Sequence, residues 1–180
     1  MHAAEASSKI VTVAQVLRRR AAWRRAGRTV VWTNGCFDLL HVGHVRALEA
    51  AAACGDVLVV GLNSDASVRR LKGTARPLVP QAERAEMLAS LACVDAVCIY
   101  GADTPAAILK RLRPEIFCKG AQFAPPDIPE AAAVRAYGGT IRLTPMVPGH
   151  STTEIVGRIH RSGRVIGHSS LVIGGERSHE

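Results

Sequence analysis

Five apolar runs recur along the chain with helix-like segments between them, and this alternation limits the fold more than any other feature. The runs are Thr29 to Thr33, Val57 to Asn63, Ala96 to Tyr100, Ile116 to Lys119 and Thr140 to Leu143. The intervening stretches predict helices over Val42 to Cys54, Gln81 to Ala92, Pro105 to Arg113 and Pro129 to Tyr137. Short apolar strands that alternate with helices pair in parallel, and a parallel sheet is covered on both faces. The expectation is therefore an α/β chain with a doubly wound, five-stranded parallel sheet. Gly55, just past a predicted helix end, is expected to serve as a left-handed cap.

The flanks read differently. Residues 1 to 9 lack a pattern and are expected to be disordered. Val11 to Arg25 fits a basic amphipathic helix with Val13, Val16, Leu17 and Ala21 on one side. A last helix, Ser151 to Arg161, opens with Ser151-Thr152-Thr153-Glu154, the pattern of a capping box. The Gly-, Ser- and His-rich stretch beyond it is expected to be flexible. The predicted organisation is a basic N-terminal segment over 1–27, a main domain over 28–161 and a tail over 162–180.

A formal net charge of +8 suits polyphosphate substrates. With 4% aromatic residues and no recognisable nucleic-acid module, a nucleic-acid partner is not expected. The five cysteines, Cys36, Cys54, Cys93, Cys98 and Cys118, show neither zinc spacing nor a CxxC motif. They read as reduced thiols, and with no signal-peptide core or membrane span the expected location is cytoplasmic.

The chemistry concentrates after the first strand, in the stretch TNGCFDLLHVGH from Thr33 to His44. His41 and His44, three residues apart, fall in the first turn of the next helix and share a face. A helix N-terminus offers unpaired N–H groups and partial positive charge to phosphate, and Gly43 permits close approach. Asn34, Gly35, Cys36 and Phe37 either offer backbone N–H groups to a phosphate or form an ordinary strand-to-helix turn, which the TNG sequence also suits. Asp38 either orients a substrate or only holds the turn. Three further clusters fall at strand ends, where ligands of parallel sheets bind: Asn63-Ser64-Asp65, Lys119-Gly120, and the Ser151-Thr152-Thr153 helix start. Asn63 and Asp65 lie beside the nucleotide region, and an Asx turn is nearly as good a reading of them. Lys72 and Arg76 are expected in a loop, as mobile cations able to close over phosphates.

These residues carry a family resemblance. The segments TNGCFDLLHVGHVRAL, VGLNSDASVRRLKGTARPLVP, QAERAEML, CKG and GHSTTEIVGRI resemble the HxGH nucleotidyltransferases, and among them the heptose 1-phosphate adenylyltransferases. The resemblance spans roughly Val30 to Ile159 and implies a Rossmann-like fold. It implies transfer of AMP from ATP to D-glycero-β-D-manno-heptose 1-phosphate, with Mg²⁺ carried by the triphosphate. His41, His44, Lys72 and Lys119 would be catalytic. Thr33 to Phe37, Gly43, Arg84, Gly120, Ser151, Thr152 and Thr153 would join them around the nucleotide, and Asp38, Asn63, Asp65, Lys72 and Arg76 around the sugar phosphate. A homodimer and a separate heptose kinase upstream are also implied, and neither a metal held by the protein alone nor a membrane partner is expected. Ala121 and Gln122 stand where such relatives usually carry a small residue and an aspartate. Two alternatives remain at this point: a CTP-dependent cytidylyltransferase acting on glycerol phosphate or a similar alcohol phosphate, and a nucleotide-binding or RNA-binding module without catalysis.

Overall fold

The protein is seen in a computed structural model that describes residues 3–121, 128–145, 149 and 151–166. Gln122, His150 and the tail beyond residue 166 lie outside the described residues.

Six strands form one parallel sheet: β1 (Ile10–Val11), β2 (Val30–Gly35), β3 (Val57–Asn63), β4 (Ala96–Tyr100), β5 (Ile116–Gly120) and β6 (Thr140–Thr144). Their order across the sheet is β1-β4-β3-β2-β5-β6. From β2 the chain winds one way through β3 and β4, then returns to the other side of β2 for β5 and β6. Beyond the strand ends, between β2 and β5, lies the crevice where such sheets hold ligands.

The β3 sequence VLVVGLN is buried at every position, as a central parallel strand requires. On one face Trp32, Val59, Cys98 and Phe117 pack with α2 (Val13–Arg25), α6 (Ala106–Leu112) and α7 (Ala131–Ala136). On the other, Val31, Val60, Leu62 and Cys118 pack with α1 (Ala3–Lys9), α3 (Val42–Ala52) and α5 (Gln81–Ala89). Two further helices, α4 (Asp65–Lys72) and α8 (Thr152–Ile166), follow β3 and β6.

The structure corrects several expectations. The sheet has six strands, because Ile10 and Val11 pair with Val97 and Cys98 at its edge. A two-residue strand has no periodicity to read. Residues 3–9, expected to be disordered, form α1, whose Ala6 is buried against the α3 and α5 side. Lys72, expected in a loop, closes helix α4, which runs from Asp65 to Lys72. Its N-cap is Ser64, whose hydroxyl accepts from the Ser67 N–H at 3.3 Å, with Asp65 in its first turn and Arg69, Arg70 and Lys72 in its last. Residues 162–166, placed in the tail, continue α8. Gly55 is not a left-handed cap. A Cβ there would lie 2.7 Å from Val31 Cγ2 and 2.8 Å from the Thr29 carbonyl oxygen, so the glycine is needed for close approach to β2.

Candidate active site at the sheet switch point

The residues at the end of β2 hand the chain directly to α3. Phe37 turns it with φ of 47°, a left-handed conformation that a bulky residue holds only under constraint. Its ring reaches back over Gly35, where a Cβ would stand 3.1 Å from the ring edge. The chain then enters α3 with His41 as the N-cap residue and no side-chain hydrogen bond closing the cap. His41 and His44 stack with ring centroids 3.8 Å apart, and Phe37 packs against His44 at 5.2 Å. Burial lowers the His44 pKa to about 4, and the neighbouring His41 pushes it the same way. The pair thus presents a neutral His44 near neutral pH, set beside a helix N-terminus suited to anions.

A second group holds the loops. Arg84, expected to touch phosphates, is fully buried and makes four hydrogen bonds within the protein. It donates to the carbonyls of Val79 and Asn63 at 2.9 and 3.0 Å, to the Cys36 carbonyl, and to Asp65 Oδ1 at 2.7 Å. One guanidinium therefore ties the turn after β2 to the end of β3 and the start of α4. Asp65, expected at the substrate, is Arg84's partner. Asp38 is also committed: its Oδ2 accepts from Arg76 at 2.7 Å, and its Oδ1 from the Leu78 and Val79 N–H groups at 2.7 and 3.0 Å. Burial works to raise the Asp38 pKa, but these hydrogen bonds outweigh it and bring it below the ordinary carboxylate value. The reading of Asp38 as a residue that holds a turn fits this geometry better than a substrate contact, and Arg76 is its anchor rather than a mobile cation.

The third group lies on the opposite face of the strand ends. Asn34 Nδ2 donates to the Tyr100 hydroxyl at 3.2 Å, and that hydroxyl donates to Asn63 Oδ1 at 3.1 Å. Asn63, expected at the substrate, is 3% exposed and spends its amide in this network. Lys119 emerges from β5 toward Glu130, its Nζ 3.0 Å from Glu130 Oε1.

The expected residues converge in part. Cys36 reports the convergence: burial raises its thiol pKa, opposed by the charges of Lys72, Arg84 and Lys119. Thr33 to Phe37, His41, Gly43, His44, Lys119 and Gly120 all lie at strand ends or at the head of α3. Lys72 is exposed at the end of α4. Ser151 accepts from the Glu154 N–H at 3.1 Å and donates to Glu154 Oε2 at 3.0 Å, so only half of the expected reciprocal cap forms. Thr152 and Thr153 open α8, and among the described residues no hydrogen bond joins these three to the β2–α3 turn. Sequence reasoning gave no role to Tyr100, Ser67 or Glu130. Tyr100 meets Asn34 and Asn63, and Ser67 meets the Ala102 carbonyl, across long stretches of chain that spacing does not reveal.

Residues 32–158 match the family described as cytidylyltransferase-like. The chain belongs to that family. Its cytidylyltransferase-like region also resembles the bifunctional protein HldE of Syntrophotalea carbinolica, 49% identical over 88% of this chain and 32% of that protein. The HldE of Geotalea uraniireducens is 51% identical over 80% of this chain and 29% of its own length. The chain thus spans about a third of the curated relatives it matches. Among solved structures, a lipopolysaccharide core biosynthesis protein of Thermoplasma volcanium superposes with a TM-score of 0.55 at 25% identity, covering 67% of this chain and 98% of that one. A pantothenate synthetase of Thermus thermophilus shares the fold, with a TM-score of 0.56 at 17% identity over 77% of this chain and 62% of that one.

Proposed function

We propose that this cytidylyltransferase-like chain transfers AMP from ATP to D-glycero-β-D-manno-heptose 1-phosphate, giving ADP-heptose and pyrophosphate. The observation that carries the reading is the stacked His41–His44 pair at the head of α3, at the switch point of the sheet. In the reaction an oxygen of the sugar phosphate attacks the α-phosphorus, a new P–O bond forms, and the bond to the β-phosphate oxygen breaks. The attacking oxygen is already anionic, so no general base is needed. What remains is positioning and stabilisation of charge. The histidines would donate hydrogen bonds to the phosphates, with Lys72 and Lys119 adding positive charge.

The relatives named HldE support the heptose branch, since about half of the residues agree across the stretch that holds this site. The carboxylates Asp38 and Asp65 are held by arginines, and no cluster of three or more metal-ligating side chains occurs among the described residues. The reading takes Mg²⁺ as part of the substrate, carried by the triphosphate. The acceptor's anomeric phosphate requires a separate phosphoryl transfer upstream.

Pyrophosphate release measured with ATP or CTP, each with heptose 1-phosphate or glycerol 3-phosphate, tests the proposal. ATP with the heptose phosphate is expected to support turnover. Turnover only with CTP, or only on glycerol phosphate, overturns it.

A further inference from the structure

Among the described residues, two buried oxygen acceptors at the switch point have no hydrogen-bond partner. Glu130, 2% exposed, gives Oε1 to Lys119, while its Oε2 is buried without a donor. Asn34 leaves its side-chain Oδ1 in the same condition. A buried acceptor without a donor is costly and rare, and calls for an explanation.

The orientation of the Asn34 amide follows from its neighbours. Ser67 donates its hydroxyl proton to the Ala102 carbonyl at 3.0 Å, so toward Asn63 its oxygen accepts, from Nδ2 at 2.9 Å. That leaves Asn63 Oδ1 as the acceptor facing Tyr100, and Tyr100 spends its only proton there. The Tyr100 oxygen therefore accepts from Asn34, which must present Nδ2. Its Oδ1 is turned away from Tyr100.

Strand register brings the two acceptors to one side. Trp32 pairs with Phe117 and Thr33 with Cys118, so one position further along Asn34 stands beside Lys119. Alternate residues share a face, which puts Asn34 and Lys119 on the face of Trp32 and Phe117. Helix α7 covers that face, and Glu130 is its N-cap residue. The Glu130 carboxylate is near enough to Tyr100 to add to the rise that burial causes in the phenol's pKa.

We propose that Asn34 Oδ1 and Glu130 Oε2 form a paired acceptor for the hydroxyl groups of a bound sugar, making Glu130 a specificity residue of this site. Two oxygen acceptors without donors suit O–H groups. The sugar is either the ribose of the nucleotide or the ring of the acceptor phosphate. Tyr100 and Asn63 are positioning residues that fix the amide. The inference rests on the reading of the site as one that joins a nucleotide to a sugar phosphate.

The test compares the unaltered chain with Glu130→Gln, which keeps the volume and an acceptor for Lys119 but turns a donor toward the hydroxyl. Tyr100→Phe is the second variant: it leaves Lys119 and Glu130 intact and lets the Asn34 amide turn over. Affinities for MgATP, Mg-2′-deoxy-ATP, Mg-3′-deoxy-ATP and heptose 1-phosphate are measured by calorimetry, with melting temperature alongside. Glu130→Gln is expected to weaken one ligand about tenfold or more, and Tyr100→Phe to weaken the same ligand severalfold. If ribose is the donor, the preference for ATP over a deoxy-ATP collapses. If the acceptor sugar is the donor, only heptose 1-phosphate weakens and the nucleotide preference stands. Unchanged affinities in both variants, with or without a lower melting temperature, overturn the inference and leave Glu130 as a structural partner of Lys119. Because binding is read without turnover, failure of the adenylyl transfer assay is a separate result.

Discussion

At the scale of single residues, His44 combines two properties that pull against each other. Its burial favours the neutral ring, while its place at a helix head prepares it for anions. In the free protein its pKa lies below that of an unfolded histidine, so between about 6.5 and about 4 the unfolded chain binds more protons. Stability contributed by the neutral ring is complete above about pH 6.5 and is lost as pH falls toward about 4, by at most roughly 3 kcal/mol. Urea unfolding of the wild type and His44→Ala across that window checks this: the variant's curve should be flatter. A bound triphosphate favours the charged ring, so nucleotide binding near pH ~5 should take up protons, seen as a buffer-dependent heat in calorimetry. His41→Ala and His44→Ala are each expected to lower kcat by about 10² or more while the fold is retained by circular dichroism. Near-normal turnover would remove that histidine from the chemistry.

At the scale of elements, what was legible in the sequence was what periodicity and local chemistry encode. The strands β3 and β4 fall where their apolar runs do, and the histidine pair sits at the head of α3 as its spacing requires. The roles of the charged residues were not legible, because partners lie far apart: Asp38 meets Leu78 and Val79, and Arg84 meets Cys36 and Asn63. An arginine that touches phosphate and one that ties backbone carbonyls look alike in a string of letters. The structure makes Arg84 the tie, so Arg84→Ala should cost about 3–5 kcal/mol in denaturant unfolding, since it leaves Asp65 without its partner and three carbonyls without a donor. Asp38→Ala should release the loop from Gly73 to Pro80, read as faster amide exchange at Leu78 and Val79. An unchanged exchange rate there would contradict the anchoring role.

At the scale of the whole molecule, the excess of positive charge acts on encounter more than on the fold. The apparent KM for ATP is expected to rise severalfold between low and high ionic strength, with kcat less affected. Measurement of both parameters across a salt series decides this. The same scale shows why the first residues were misread: α1 and β1 have no pattern of their own and are ordered by what they cover. Without Ile10 and Val11, the AVCIY backbone of β4 would be an open margin with unpaired N–H and C=O groups, able to template another chain. The shortest strand in the sheet thus works as a seal, and a chain begun at Val13 should assemble into aggregates in light scattering even where its catalytic residues are untouched.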